Sequence, residues 1–238
     1  MTRRLAAEAV GSAFLAMIVV GSGIAAQRLS PGNVGLQLFE NAAATAAGLY
    51  VLIVVWAPIS GAHFNPLVSA VSAFFGGLRW RHALSYTGAQ VAGCIGGAVL
   101  ANLMFGGAAV SMSTTHRSSA AHWLAEVVAT LGLLLVIFGL ARSGQGTKVA
   151  AAVGAYIGAA CFFTSSTSFA NPAIVVGRMF SNTFAGIAPA AAPGYVVAEC
   201  VGAVLAAGLI KTLFPSQEIL HASQETHPSQ RVVEPAHE

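Results

Sequence analysis

His63-Phe64-Asn65-Pro66-Leu67-Val68 and Phe169-Ala170-Asn171-Pro172-Ala173-Ile174 carry the same Asn-Pro step, 106 residues apart. Each step opens an apolar stretch, 65–75 and 171–183, too short to cross a bilayer, which takes roughly 20 residues of helix. Pro is tolerated in the first turn of a helix, where its missing N–H loses nothing, so both stretches read as helix starts. Short apolar helices at membrane depth are expected as re-entrant segments that line a cavity.

The rest of the chain supplies the membrane. Of 238 residues, 56% are hydrophobic and 8% charged, against about 25% charged in a soluble domain. So few charges cannot cover a water-facing surface. The chain has no Asp, and Glu218, Glu225, Glu234 and Glu238 lie at its end. Of the others, Glu8, Glu126 and Glu199 sit inside apolar runs, where a carboxylate is costly and marks a functional or supporting role. Six runs approach spanning length, at about 5–26, 34–56, 82–105, 123–141, 149–167 and 195–214. The first, after Arg3-Arg4, is long enough to span and holds Glu8, so it reads as a helix that stays rather than a cleaved leader. The expected fold is an all-α membrane protein with six transmembrane helices and two re-entrant half-helices. Residues 215–238 are polar, rich in Pro and His and without periodicity, and read as a disordered cytoplasmic tail. With six spans, eight basic residues fall on the side of the termini and three (Arg28, Arg117, Arg178) on the other. The positive-inside rule then puts both termini in the cytoplasm.

The two halves repeat one another. Ala7-Glu8 through Ser12 matches Ala125-Glu126 through Thr130. Tyr86, Gln90, Gly93, Leu100 and Phe105 match Tyr195, Glu199, Gly202, Leu209 and Phe214. The channel domain therefore runs over 3–214, as repeats 3–105 and 118–214. Three spans per repeat is an odd number, so the second repeat is inserted upside down. Inverted repeats place the working site at mid-membrane with broken-helix N-termini aimed at it, in channels and in some transporters alike. Gly93-xxx-Gly97 and Gly202-xxx-Ala206 let helices approach closely.

The string 59–68, Ile-Ser-Gly-Ala-His-Phe-Asn-Pro-Leu-Val, resembles the first signature of the aquaporin, or major intrinsic protein, family. Residues 167–173, Thr-Ser-Phe-Ala-Asn-Pro-Ala, resemble the second. The resemblance covers about residues 3–214. It implies a homotetramer with one pore per subunit, and loop-supporting roles for Glu8 and Glu126, each accepting hydrogen bonds from backbone N–H groups of a pore loop. The rival reading of these two is a proton relay. Two half-helix N-termini face to face each carry roughly half a positive charge, which repels cations. The amides of Asn65 and Asn171 orient passing solute oxygens and interrupt proton hopping. His63 falls on the cytoplasmic half of the pore, or alternatively is a packing residue, and Val68 is expected in the pore or its vestibule. Glu199 and its repeat mate Gln90 read as polar groups that hold backbone.

Departures from the family pattern bear on selectivity. The first motif ends in Leu67, not Ala, and the bulk is expected to ease the half-helices apart. Where water-selective members have Arg after the second motif, this chain has Ile174. Carried over by spacing, the selectivity filter is Thr45, Ser168, Ile174 and either Ala159 or Cys161. That gives a wider, more apolar constriction without its usual arginine, similar to arsenic-resistance-associated bacterial aquaglyceroporins. It favours small neutral solutes such as glycerol-like polyols, undissociated arsenous acid or methylated arsenicals, with water still open. Arg178, four residues on, projects from the same face as Ile174. It is expected to act either as a displaced filter cation in the outer vestibule, or by snorkelling to headgroups or bonding loop carbonyls.

The expected setting is a bacterial inner membrane. Alternatives are a water-selective aquaporin, a secondary transporter of the same symmetry, and a closed structural member. No enzyme is expected: there is no Asp, no Ser-His-acid grouping and no metal-ligand spacing. No cofactor, metal or nucleic-acid partner is expected, and the three cysteines lie in apolar runs, without a disulfide framework.

Overall fold

A computed structural model describes residues 1–215. Among these the chain is helical, with α1 (Thr2–Leu29), α2 (Val34–Ser60), α3 (Pro66–Phe74), α4 (Trp80–Met104), α5 (Ala120–Arg142), α6 (Val149–Phe163), α7 (Pro172–Arg178) and α8 (Ala192–Leu213). Six are long and apolar enough to cross a membrane, α6 only together with the 3₁₀ turn Gly146–Lys148 that leads into it. The other two, α3 and α7, are the half-helices. The expected tail lies outside the described residues from 216 on.

Both half-helices start as their residues dictate. Asn65 and Asn171 stand in extended conformation at the N-cap, with Pro in the first turn. Their side-chain oxygens accept from the backbone N–H of Leu67 (2.9 Å) and Ala173 (3.0 Å), which satisfies donors the helix leaves orphaned.

Three boundaries differ from expectation by four residues or more. α2 continues through Pro58 to Ser60. Pro58 and its neighbour Ala57 are exposed on the helix surface, and the Gly61 N–H still reaches the Ala57 carbonyl at 3.0 Å. α6 stops at Phe163 rather than 167, because Thr164 turns extended and bonds its hydroxyl back to the Ala160 carbonyl at 2.6 Å. α7 ends at Arg178, short of 183. There Ser181 Oγ donates to Asn102 Oδ1 at 2.7 Å, and Asn102 Nδ2 donates to the Phe180 carbonyl at 2.9 Å, so the chain leaves the helix for these partners.

Packing repeats between the halves. α1 lies on α4 and α5 on α8, α2 meets α6 across the repeat boundary, and each half-helix touches both α4 and α8. The small residues set the first two contacts. A Cβ added at Gly93 would stand 2.2 Å from the Ala9 carbonyl oxygen, and one at Gly202 2.5 Å from that of Val127. The obstacle in both is rigid backbone, so the helices would have to separate. Gly93→Val is expected to cost about 1–3 kcal/mol, the usual range for overpacking, read as a lower unfolding midpoint in detergent. An unchanged midpoint would show that α1 and α4 are not held at this separation.

Candidate functional site

The loops that lead into the half-helices run in a conformation that non-glycine residues avoid. Ala62 (φ 50°), Phe64 (φ 49°), Thr167 (φ 63°), Ser168 (φ 52°) and Ala170 (φ 47°) all stand in the left-handed region. Such positions are strained and persist only where surroundings hold them. Buried carboxylates do the holding. Glu8, with no exposed surface, accepts from the backbone N–H of His63 (3.0 Å) and Phe64 (2.7 Å), from the Ser60 hydroxyl (2.5 Å) and from Gln90 Nε2 (2.8 Å). Glu126 accepts from the N–H of Phe169 (2.9 Å) and Ala170 (2.7 Å). Glu199 accepts the next one, Asn171 N–H, at 2.8 Å. Gln90 differs from its repeat mate: it bonds the Glu8 carboxylate and Ser69 Oγ (3.1 Å) instead of loop backbone. As an amide it donates to the carboxylate, whereas Glu199 takes a backbone N–H directly.

The two Asn side chains lock the loops to each other. Asn65 Nδ2 donates to the Ala170 carbonyl at 2.7 Å, and Asn171 Nδ2 donates to the Phe64 carbonyl at 2.8 Å. With each oxygen engaged in capping, one amide hydrogen on each side chain is left for the cavity. Leu67 does not prise the half-helices apart. Its side chain joins an apolar cluster with Leu134 and Ile210, on α5 and α8, and the reciprocal bonds keep ordinary lengths.

A cavity of about 70 Å³ runs past these groups, lined by His63, Asn65, Val68, Asn171 and, farther along α7, Ile174 and Arg178. His63 both lines it and packs: Nδ1 is 3.0 Å from Ser69 Oγ, and its ring meets Tyr86 edge-on at 5.5 Å. Thr45, Ser168 and Cys161 also line the cavity. Ala159 does not, and is exposed. α6 turns Val153, Ile157 and Cys161 inward at four-residue intervals, and a residue two positions away falls on the opposite side of a 3.6-residue helix.

Arg178 both faces the cavity and bonds loop backbone. It lines the cavity, its Nε–H donates to the Ala185 carbonyl, and its Cζ lies 3.5 Å from the Phe169 ring centre. Sequence reading missed Arg117, whose Nε and Nη2 donate to the carbonyls of Gly186 (3.0 Å) and Phe184 (3.1 Å). Burial lowers its pKa from the usual arginine value, opposed by Tyr195 and Glu126. It also missed Asn41, which lines the cavity and bonds the Val19 carbonyl at 2.8 Å. An Asn inside an apolar span, one turn before Thr45, was the available signal.

Residues 1–170 match the family model described as major intrinsic protein. The chain is 47% identical over 230 residues to the aquaglyceroporin AqpS of Rhizobium meliloti, covering 96% of this chain and 98% of that one. It is 32% identical to the probable aquaporin NIP4-2 of Arabidopsis thaliana, over 75% of this chain and 66% of that one. Among solved structures it superposes on the aquaglyceroporin from Plasmodium falciparum with a TM-score of 0.69 at 21% identity, covering 88% of this chain and 95% of that chain, a likeness of fold.

Proposed function

This chain belongs to the major intrinsic protein family of multi-pass membrane channels, passive conduits and not enzymes, and from that premise we propose that it conducts small uncharged solutes of glycerol size: polyols, undissociated metalloid acids such as arsenous acid, methylated arsenicals, and water. The observation that carries this reading is the wall around Ile174. Thr45, Cys161, Ser168 and Ile174 line one cavity, and the residue after the second Asn-Pro-Ala motif is an apolar side chain. A wall of that kind excludes by width more than by charge. The name of the 47%-identical relative, an aquaglyceroporin, points the same way.

In this reading Asn65 and Asn171 form the central barrier to cations and protons, where two half-helix dipoles meet. Glu8 and Glu126 support the loops. The chain sits in a bacterial inner membrane with both termini in the cytoplasm, as the distribution of basic residues indicates, and four copies assemble, each with its own pore.

Stopped-flow light scattering on proteoliposomes tests it, with water, glycerol, urea and arsenous acid compared in one preparation. The expected result is glycerol and arsenous acid flux that rises linearly with concentration and ignores a proton gradient. Water flux alone would indicate a water-selective pore. Saturation at modest concentration, or a response to the proton gradient, would indicate a coupled transporter.

A further inference from the structure

Position 174 is Ile, yet a guanidinium reaches the same cavity from one turn farther along α7. Ile174 and Arg178 are four residues apart, so the helix stacks them on one face, and both line the cavity with Cys161 and Ser168. Arg178 is 5% exposed. Its head is held by the Ala185 carbonyl and by the face of Phe169, a good geometry for a cation over a ring. Phe169 is itself fixed, because its backbone N–H is bonded to Glu126. Arg117 completes the bracket. It binds the carbonyls on either side of Ala185, those of Phe184 and Gly186, and its Cζ lies 5.6 Å from the same Phe169 ring. Among the described residues Nε makes the only side-chain hydrogen bond of Arg178, which leaves both Nη nitrogens for the cavity. Ser168 Oγ is buried there without a hydrogen-bond partner among the described residues.

We propose that Arg178 is a specificity-determining residue of the outer constriction: it presents, from the turn beyond Ile174, a fixed cation that turns back positively charged solutes and donates hydrogen bonds to oxygen-bearing neutral ones, and Arg117 positions it. The constriction lacks an arginine at the usual place in the sequence and regains one in space. This rests on the reading of the cavity as the conducting path. A fixed charge in a narrow, low-dielectric passage acts over several ångströms and is felt before contact. Arg→Lys is not conservative at a stacked site, but it keeps the charge, so the two functions of Arg178, charge and loop anchoring, separate by mutation.

Cys161 is a reporter in place: it is buried, as Cys94 is, but it lines the same cavity and Cys94 does not, while Cys200 is exposed on α8. In a Cys200→Ser background, full-length protein in proteoliposomes is treated from outside with anionic or cationic methanethiosulfonate reagents of matched size. Labelling of Cys161 is followed by mass. The anionic reagent is expected to react about tenfold faster. High salt should shrink that ratio. Arg178→Met should bring it near one, Arg178→Lys should keep most of it, and Arg117→Met should lower it by less than Arg178→Met. A ratio that Arg178→Met leaves unchanged overturns the proposal, as does a Cys161 that neither reagent reaches. Should Arg178→Met not yield folded protein, the wild-type ratio and its salt dependence decide, and a faster cationic reagent refutes the proposal. Labelling requires no transport, so a missing glycerol flux beside an intact charge ratio would strike the conduction reading separately.

Discussion

Ile174→Arg is expected to cut glycerol and arsenous acid flux by at least ~tenfold while water flux falls far less, a barrier increase of about 1.4 kcal/mol or more for the larger solutes. Ile174 is 4% exposed and lines the cavity beside Thr45, Ser168 and Cys161. A longer, charged side chain has no room there except in the passage itself. It would also stand one turn from Arg178, and two like charges on one face push each other outward, narrowing the path again. Stopped-flow measurements on the two proteins side by side decide it. Glycerol and arsenous acid passing the variant as fast as the wild type would show that Ile174 is not at the constriction.

Removing the Glu8 carboxylate is expected to be the most damaging single change in the first repeat. Glu8→Leu leaves two backbone N–H groups without acceptors, the buried one of Phe64 at about 1–3 kcal/mol and the partly buried one of His63 at less. It also frees the left-handed Phe64 and removes the partner of the Ser60 hydroxyl, which in turn holds the N–H of left-handed Ala62. The expected readout is loss of monodisperse protein after solubilisation. Glu8→Gln is the finer probe. Both Glu8 oxygens each accept two bonds, so turning one into a donor sets it against two donors. At Glu126 each oxygen takes one loop N–H, so Glu126→Gln sets one donor against one. Glu8→Gln should therefore lower the unfolding midpoint more than Glu126→Gln. The reverse order would mean that Ser60 and Gln90 contribute little to holding the first loop.

Much of this could be read in the residues because it depends on period and spacing. Six apolar runs gave six spans, and the Asn-Pro steps gave the half-helices, since capping and proline geometry are local. The carboxylates at 8 and 126 were legible because a buried charge demands partners. The choice between Ala159 and Cys161 was not, because spacing from a loop of uncertain length leaves helix phase open by two residues. The bracket around Phe169 was not legible either. Arg117 lies in an aperiodic loop, and its partners are backbone carbonyls, which leave no trace in side-chain identity. The end of α6 escaped for a related reason: Thr164 to Thr167 are compatible with a helix until the loop beyond them is pulled toward Glu126.

The reciprocal amides of Asn65 and Asn171 also bear on how the molecule comes into being. Each finds its carbonyl more than a hundred positions away, 105 in one direction and 107 in the other. Chains are synthesised from the N-terminus, so the first Asn-Pro turn enters the bilayer before its counterpart exists. During that interval the Asn65 amide and the Phe64 carbonyl wait, polar groups in a medium that offers them little. The last step of biogenesis is then the meeting of two prefabricated halves, and the passage through the membrane arises only at that moment. Two separately expressed fragments, split in the 105–119 connection, ought to be individually silent and jointly competent.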